Sequence, residues 1–106
     1  MTKTNMPIRY LVSRHAAAIT WIKQQTPVDQ VIGHFDSNLI QPGDTVIGTL
    51  PVHIAVQVCL RGGKYLHLEL TIPSEQRGKE LSLEEMSACN PTLTYFQIMP
   101  KKDDGL

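Results

Sequence analysis

The sequence predicts an α/β fold in which a mainly parallel β-sheet lies between two layers of helices. Short apolar runs rich in β-branched residues alternate with segments of helical spacing, in the order β-α-β-β-α-β-α-β. Pro-Gly, Gly-Gly and Asn-Pro pairs separate these segments, as turns between elements do. A chain of 106 residues holds one hydrophobic core. We therefore expect a single domain over residues 1–106, with its core at about 7–99 and loose tails at 1–6 and 100–106.

The first βα unit is predicted from a change of spacing near residue 13. Ile8 to Val12 is apolar and β-branched at its ends, which is typical of a short strand. From His15 to Gln25 the spacing becomes helical, with an apolar stripe formed by Ala18, Ile19 and Ile22. Ser13 offers a hydroxyl just before this helix and is its expected N-cap.

A second strand and an irregular connection are expected next. Pro27 stops the helix, and Val28 to Phe35 is predicted to be a strand. Residues 36–44 then contain a Pro42-Gly43 turn. They are too few for the crossover helix that usually joins parallel strands, so we expect an irregular path here.

The second βα unit repeats the pattern of the first. Thr45 to Gly48 is the predicted strand, Pro51 suits the first turn of a helix, and Gly62-Gly63 ends that helix. The residues of this helix that are expected to face the core are Ile54, Ala55, Val58 and Cys59.

The fourth predicted strand, Lys64 to Leu70, alternates leucines with polar or aromatic residues. Its leucines are expected to face the core. Its other face is interpreted as a sheet margin or a partner surface formed by Tyr65, His67 and Glu69. Ser82 and Glu85 form a capping-box pattern that starts a short helix, and Thr92 to Met99 is the last predicted strand.

Composition and charge exclude several classes of protein. Ten basic and ten acidic side chains give a net charge of zero, which argues against a surface for long nucleic acids. No apolar run approaches the ~20 residues of a membrane span, and the first residues lack the apolar core of a signal peptide. Cys59 and Cys89 have neither metal nor redox spacing, and the four histidines share no metal spacing. We therefore expect a cytoplasmic protein that needs no metal or other cofactor.

Two predicted strands end in polar residues. Ser13-Arg14-His15 follows the first strand, and Gly48-Thr49-Leu50-Pro51 follows the third. The carboxyl ends of parallel strands lie at one edge of a sheet, where α/β proteins bind ligands. Each motif also precedes a helix, whose first N–H groups are unpaired and partly positive. With Arg77-Gly78-Lys79 they indicate a site for a small anion, although each motif alone is also typical of a solvated turn.

A resemblance to a known family is carried by three runs: LVSRH, QPGDTVIGTLPVHIAVQVCLRGGKYLHLEL and RGKELS. They resemble a family of small accessory proteins of type III CRISPR systems, over roughly residues 8–98. Members of that family resemble the nucleotide-sensing CRISPR-associated Rossmann-like domains, and they are implicated as ring nucleases, which open cyclic oligoadenylate messengers. The resemblance therefore implies a Rossmann-like fold and a homodimer, with a ligand such as cyclic tetra-adenylate bound across its interface.

The resemblance implies functional positions only where the residues match. These positions are Ser13, Arg14 and His15, then Gly48, Thr49, Leu50 and Pro51, and lastly Arg77, Gly78 and Lys79. The family pattern often has Pro-Gly after the Arg-His pair, whereas this chain has Ala16-Ala17, a difference that affects the geometry of the turn.

The residue types fit the chemistry of ring opening. A ribose 2′-hydroxyl can attack the adjacent phosphorus, so no outside nucleophile is needed. Arg14 suits the stabilisation of charge on phosphoryl oxygens and His15 suits proton transfer, so these two are the predicted catalytic residues. The predicted ligand-binding residues are Ser13, Gly48, Thr49, Leu50, Pro51, Arg77 and Lys79.

Three other functions are left open by the sequence. A non-catalytic module that holds the cyclic oligoadenylate, as a sensor or sponge, would use the same residues. An Arg-His pair after a strand is also typical of histidine phosphatases, but those enzymes have Gly after the His, a second catalytic His and a longer chain. A structural domain that binds a partner through the polar face of the fourth strand is the third alternative.

Overall fold

A computed structural model of the chain describes residues 6–101. The strands are β1 (Arg9–Val12), β2 (Gln30–Ile32), β3 (Thr45–Gly48), β4 (Lys64–Glu69) and β5 (Thr92–Phe96). The helices are α1 (Ala16–Gln25), α2 (Val52–Leu60) and α3 (Leu83–Ser87), with short 3-10 turns at Ser37–Leu39 and Ser74–Gln76. The greater part of both expected tails, residues 1–5 and 102–106, lies outside the described residues.

The five strands form one sheet in the order β2-β1-β3-β4-β5. The first four strands are parallel, and β5 pairs antiparallel with β4. The sequence-based prediction of a mainly parallel α/β sheet is therefore confirmed, as is the order of its elements. In the register of β1 and β3, Val12 lies opposite Gly48, so the two strands end side by side.

Two apolar clusters, one on each face of the sheet, make this a three-layer domain. The first cluster joins α1 and α3 to the sheet through Leu11, Ala18, Ile22, Ile47, Leu66, Leu68 and Met86. The second joins α2 to the opposite face through Tyr10, Ile40, Val46, Ala55, Val58 and Tyr65. Because α1 and α2 cover opposite faces, the connections from β1 and β3 diverge at the end of these two neighbouring strands. The fold thus opens a crevice at that point.

Strands β2 and β5 are shorter than the predicted 28–35 and 92–99. Two backbone hydrogen bonds to β1 mark the ends of β2. The N–H of Asp29 donates to the Arg9 carbonyl, and the carbonyl of Ile32 accepts the N–H of Ser13. After β5, the chain turns toward α2, where the N–H of Ile98 contacts the Cys59 sulfur at 3.4 Å. Pairing with β1 ends at Ile32 and pairing with β4 ends at Phe96, so both strands stop before their apolar runs do.

Helix α1 begins one residue later than expected, and Ser13 is not its N-cap. The N-cap position belongs to His15, and no side chain accepts a hydrogen bond from the first turn. The hydroxyl of Ser13 instead accepts the N–H of His15 at 3.1 Å. The N–H of Ser13 still continues the strand pairing, so this residue lies too early in the chain to cap the helix.

The polar face predicted for β4 is largely covered. Tyr65 is only 2% exposed because it packs under α2 in the second cluster, and His67 is half-buried. Of the three residues on this face, only Glu69 is exposed. The interpretation of this face as an open partner surface is therefore wrong.

Two local predictions are confirmed. Residues 36–44 take an irregular path, and the buried carboxylate of Asp44 holds it by accepting the N–H groups of Ile8 and Gln41, each at 2.9 Å. The capping box of α3 is formed in both directions between Ser82 and Glu85. Hydrogen bonds from the backbone and side chain of Ser82 lower the pKa of the Glu85 carboxyl. No helix among residues 6–101 has both the length and the apolar character to cross a membrane.

Candidate functional site

A cleft of about 400 Å³ opens where β1 and β3 end, between the start of α1 and residues 72–81, which we call the 72–81 loop. We call this the rim cleft. The predicted residues that line it are Ser13, Arg14, His15, Gly48, Thr49, Gly78 and Lys79. The predicted residues that lie outside its lining are Leu50, Pro51 and Arg77. The structure therefore brings together two strand ends and one loop that are far apart in the sequence.

Gly48 allows the two strand ends to lie close together. Its φ is +152°, and a Cβ built on it would lie 2.7 Å from the carbonyl oxygen of Val12. Real Cβ atoms essentially never make so short a contact, and the atom in the way belongs to the backbone. A residue without a side chain is therefore required at this point in the cleft wall.

The start of α1 supplies backbone donors to the rim cleft. No side chain caps the helix, so the N–H groups of its first turn have no side-chain partner. Ala17 and Ala18, which belong to this turn, line the cleft. The partial positive charge of a helix N-terminus favours an anion at this position.

Arg14 is held by the end of β2. Its Nε donates to the carbonyl of Gly33 at 2.8 Å, and its exposed side chain lines the rim cleft. Its terminal guanidinium nitrogens make no hydrogen bond to any residue within 6–101. They can therefore bind an anion while Nε keeps the side chain in place.

His15 pairs with Glu80, a residue that the sequence analysis did not select. The Nδ1 of His15 lies 2.9 Å from Oε1 of Glu80, and the two side chains are 71% and 61% exposed. When Nδ1 carries the proton it donates to this carboxylate, and Nε2 is left free. The two residues are 65 positions apart, and Glu80 occurs in a mixed charged stretch, so no sequence pattern marks the pair.

The remaining polar groups of the rim come from Thr49 and Lys79. The hydroxyl of Thr49 donates to the Leu68 carbonyl at 2.8 Å, which leaves its oxygen lone pairs available as acceptors. Lys79 is exposed and makes no salt bridge within the described part of the chain. The rim thus carries the cations Arg14 and Lys79, the titratable His15 and one anion, Glu80.

Below this polar rim the cleft is apolar. Its inner lining comes from Val12, Ala17, Ala18, Ile22, Leu68, Leu70, Ile72, Leu81 and Met86. Gln76 adds one neutral polar side chain. An apolar interior with a cationic rim suits a molecule that combines a flat apolar group with a phosphate.

The two predicted helix N-termini do not meet at this cleft. Helix α2 packs on the opposite face of the sheet, and its N-cap residue is Pro51. The N–H of Leu50 donates to the hydroxyl of Tyr65 at 2.8 Å and is already satisfied. Of these two helices, α1 alone offers its first turn to the rim cleft. Among residues 6–101, no three His, Cys, Asp or Glu side chains are grouped to hold a metal ion.

Comparison with known families adds a biological context. Residues 10–99 match the model of the family described as "Putative CRISPR-associated protein (Cas_VVA1548)". The chain belongs to this family. The match includes every strand from the second residue of β1 onward, all three helices and every residue of the rim cleft. The resemblance to a CRISPR-associated family is therefore confirmed at the level of the family. No curated protein and no solved structure matches the chain.

Proposed function

We propose that this Cas_VVA1548 protein is a ring nuclease that binds and cleaves the cyclic oligoadenylate cyclic tetra-adenylate in type III CRISPR signalling. The observation that carries the proposal is the rim cleft itself. It places Arg14, His15 and an uncapped helix start above an apolar interior, at the divergence point of an α/β sheet. Family membership supplies the CRISPR context, and the ligand class rests on the resemblance described above.

The groups of the cleft divide naturally between the parts of a nucleotide. Arg14, Lys79 and the first N–H groups of α1 bind a phosphate. The oxygen of Thr49 accepts a hydrogen bond from a ribose hydroxyl. An adenine enters the apolar interior, whose volume of about 400 Å³ lies within the usual range for small-molecule pockets.

Cleavage proceeds by attack of a ribose 2′-oxygen on the neighbouring phosphorus. The new bond joins the 2′-oxygen to phosphorus, and the bond from phosphorus to the 5′-oxygen breaks. The products are a 2′,3′-cyclic phosphate and a 5′-hydroxyl. The 2′-proton passes to solvent, and Nε2 of His15 gives a proton to the departing 5′-oxygen. Arg14 and the α1 N–H groups stabilise the charge that develops on the phosphoryl oxygens.

Glu80 acts in this scheme as a positioning residue for His15. Its carboxylate, 2.9 Å from Nδ1, orients the imidazole ring that donates the proton. Both groups are more than half exposed, so the pair contributes orientation rather than a large stabilisation of the fold.

A homodimer completes the site. Cyclic tetra-adenylate has a two-fold axis, whereas each chain offers one rim cleft with one helix start. Two copies related by a two-fold axis present two such clefts to one ring. Light scattering at micromolar concentration is expected to give twice the mass of the chain. A monomer, with and without the ligand, would contradict the composite site.

The same residues could hold the ring without cutting it, and one experiment separates the two functions. Purified protein in excess is incubated with cyclic tetra-adenylate, and the mixture is chromatographed over time. We expect the ring to disappear and linear products to form. Intact ligand that stays bound to the protein would show that the protein is a sponge or sensor and not a nuclease. Intact ligand that stays unbound would rule out both functions.

A further inference from the structure

The hydroxyl of Tyr65 contacts three groups on the side of the sheet opposite the rim cleft. It lies 2.8 Å from the N–H of Leu50, 3.2 Å from the carbonyl oxygen of Gly48 and 2.6 Å from Nδ1 of His67. Tyr65 is 2% exposed and belongs to the cluster under α2. Its hydroxyl therefore joins both ends of the Gly48–Leu50 turn to strand β4.

One hydrogen bond of this network has a direction fixed by atom type. A tyrosine hydroxyl donates one hydrogen and accepts through two lone pairs. Leu50 N–H can only donate, so the hydroxyl oxygen accepts it whichever way the hydroxyl hydrogen points. That hydrogen goes either to Nδ1 of His67, at 2.6 Å, or to the Gly48 carbonyl, at 3.2 Å, and in the second case Nδ1 of His67 carries a proton and donates it. Burial raises the pKa of the Tyr65 hydroxyl, although the Leu50 N–H acts in the opposite sense, so the hydroxyl stays protonated at neutral pH.

The ring of His67 is held from two sides. It makes edge contacts with Tyr65 and Phe96, at centroid distances of 5.5 and 5.6 Å. Its orientation toward the tyrosine hydroxyl is therefore fixed by packing as well as by the hydrogen bond. The two side chains that contact the His67 ring come from β4 and β5.

Thr49 lies between the two residues that Tyr65 holds. Its hydroxyl donates to the Leu68 carbonyl, also on β4, and its side chain lines the rim cleft. We propose that Tyr65 is a positioning residue for the rim cleft: its hydroxyl fixes the Gly48–Leu50 turn so that Thr49 faces the ligand and Leu50 N–H faces away. Only the ligand readout of this inference rests on the proposed function.

The matched test is a pair of variants, Tyr65→Phe and Tyr10→Phe. Both remove one hydroxyl from a buried tyrosine of the same cluster. The hydroxyl of Tyr10 makes no hydrogen bond to a residue within 6–101. We expect amide hydrogen exchange of Leu50 to become at least about tenfold faster in Tyr65→Phe and to change little in Tyr10→Phe, since one neutral hydrogen bond is lost in the first variant alone.

Binding of cyclic tetra-adenylate gives the second readout. We expect Tyr65→Phe to weaken binding about 3- to 10-fold and Tyr10→Phe to leave it unchanged. An unchanged exchange rate of the Leu50 amide in Tyr65→Phe would show that the Tyr65 hydroxyl does not hold the turn. Faster exchange with parental affinity would overturn the positioning role. If the parent protein does not bind cyclic tetra-adenylate at all, the proposed function fails, and the exchange result still decides whether Tyr65 fixes the turn.

A measurement on the parent protein guards against a variant that does not fold. Leu50 lies outside the helices and strands, and the hydroxyl of Tyr65 accepts its N–H. We expect this amide in the parent protein to exchange at least about tenfold more slowly than an unprotected amide. Exchange at the unprotected rate would overturn the inference without the use of any variant.

Discussion

His15→Asn is expected to slow cleavage of cyclic tetra-adenylate by about 10²–10⁴-fold while its affinity for the ring falls less than about tenfold. Asparagine keeps a polar side chain at the cleft but cannot transfer a proton to the 5′-oxygen. The proposed phosphate contacts of Arg14 and the start of α1 are left in place, so we expect binding to change little. Single-turnover assays with excess protein measure the cleavage step separately from binding.

Two further variants make this result specific. Glu80→Gln keeps a hydrogen-bonding group near Nδ1 of His15 but removes the charge, so we expect the cleavage rate to fall about tenfold with little change in affinity. His53→Asn is the matched control, because His53 is exposed on α2, outside the lining of the cleft. Two results would refute the role of His15: a parental cleavage rate in His15→Asn, or a cleavage rate in His53→Asn that falls as much as that of His15→Asn.

Gly48→Ala is expected to destabilise the fold by about 2 kcal/mol and to lower Tm by roughly 10 °C. The new Cβ would lie 2.7 Å from the carbonyl oxygen of Val12, so strands β1 and β3 would have to separate at the edge of the cleft. Ligand binding should weaken as well, since Ser13 and Thr49 follow directly on these strand ends. Thermal unfolding followed by circular dichroism measures Tm, and a ligand titration measures the affinity.

Gly33→Ala is the control for this substitution. A Cβ at Gly33 would meet the flexible side chain of Arg14 at 3.4 Å, an ordinary contact. We expect its Tm to stay within a few degrees of the parent value. If Gly48→Ala unfolds at the parental temperature, the close approach of the two strand ends is not a constraint on the sequence.

The spacing of apolar residues along the chain predicted most of the fold. The switch from extended to helical spacing predicted the two βα units, and Ser82 with Glu85 predicted the cap of α3. Strand ends and the face of β4 were less predictable, because they depend on contacts with distant residues. The alternation of β4 places Tyr65 on a polar face, but α2 covers this residue.

The candidate site was predictable where it follows a strand and not where it depends on a loop. Ser13, Arg14 and Thr49 reach the cleft because parallel strands end at one edge of the sheet, a rule that sequence order already contains. Glu80 joins them only through the path of the 72–81 loop. Leu50 lies outside the cleft lining for a related reason: the hydroxyl of Tyr65, on the next strand, accepts its N–H.

The most direct test of the central claim is the identity of the product end group. Protein and cyclic tetra-adenylate are incubated with EDTA in excess, and the products are analysed by mass spectrometry. Intramolecular attack by the 2′-oxygen predicts linear products that carry a 2′,3′-cyclic phosphate and a 5′-hydroxyl, at a rate that EDTA does not change. An intact ring, or a product with a 5′-phosphate, would contradict the account.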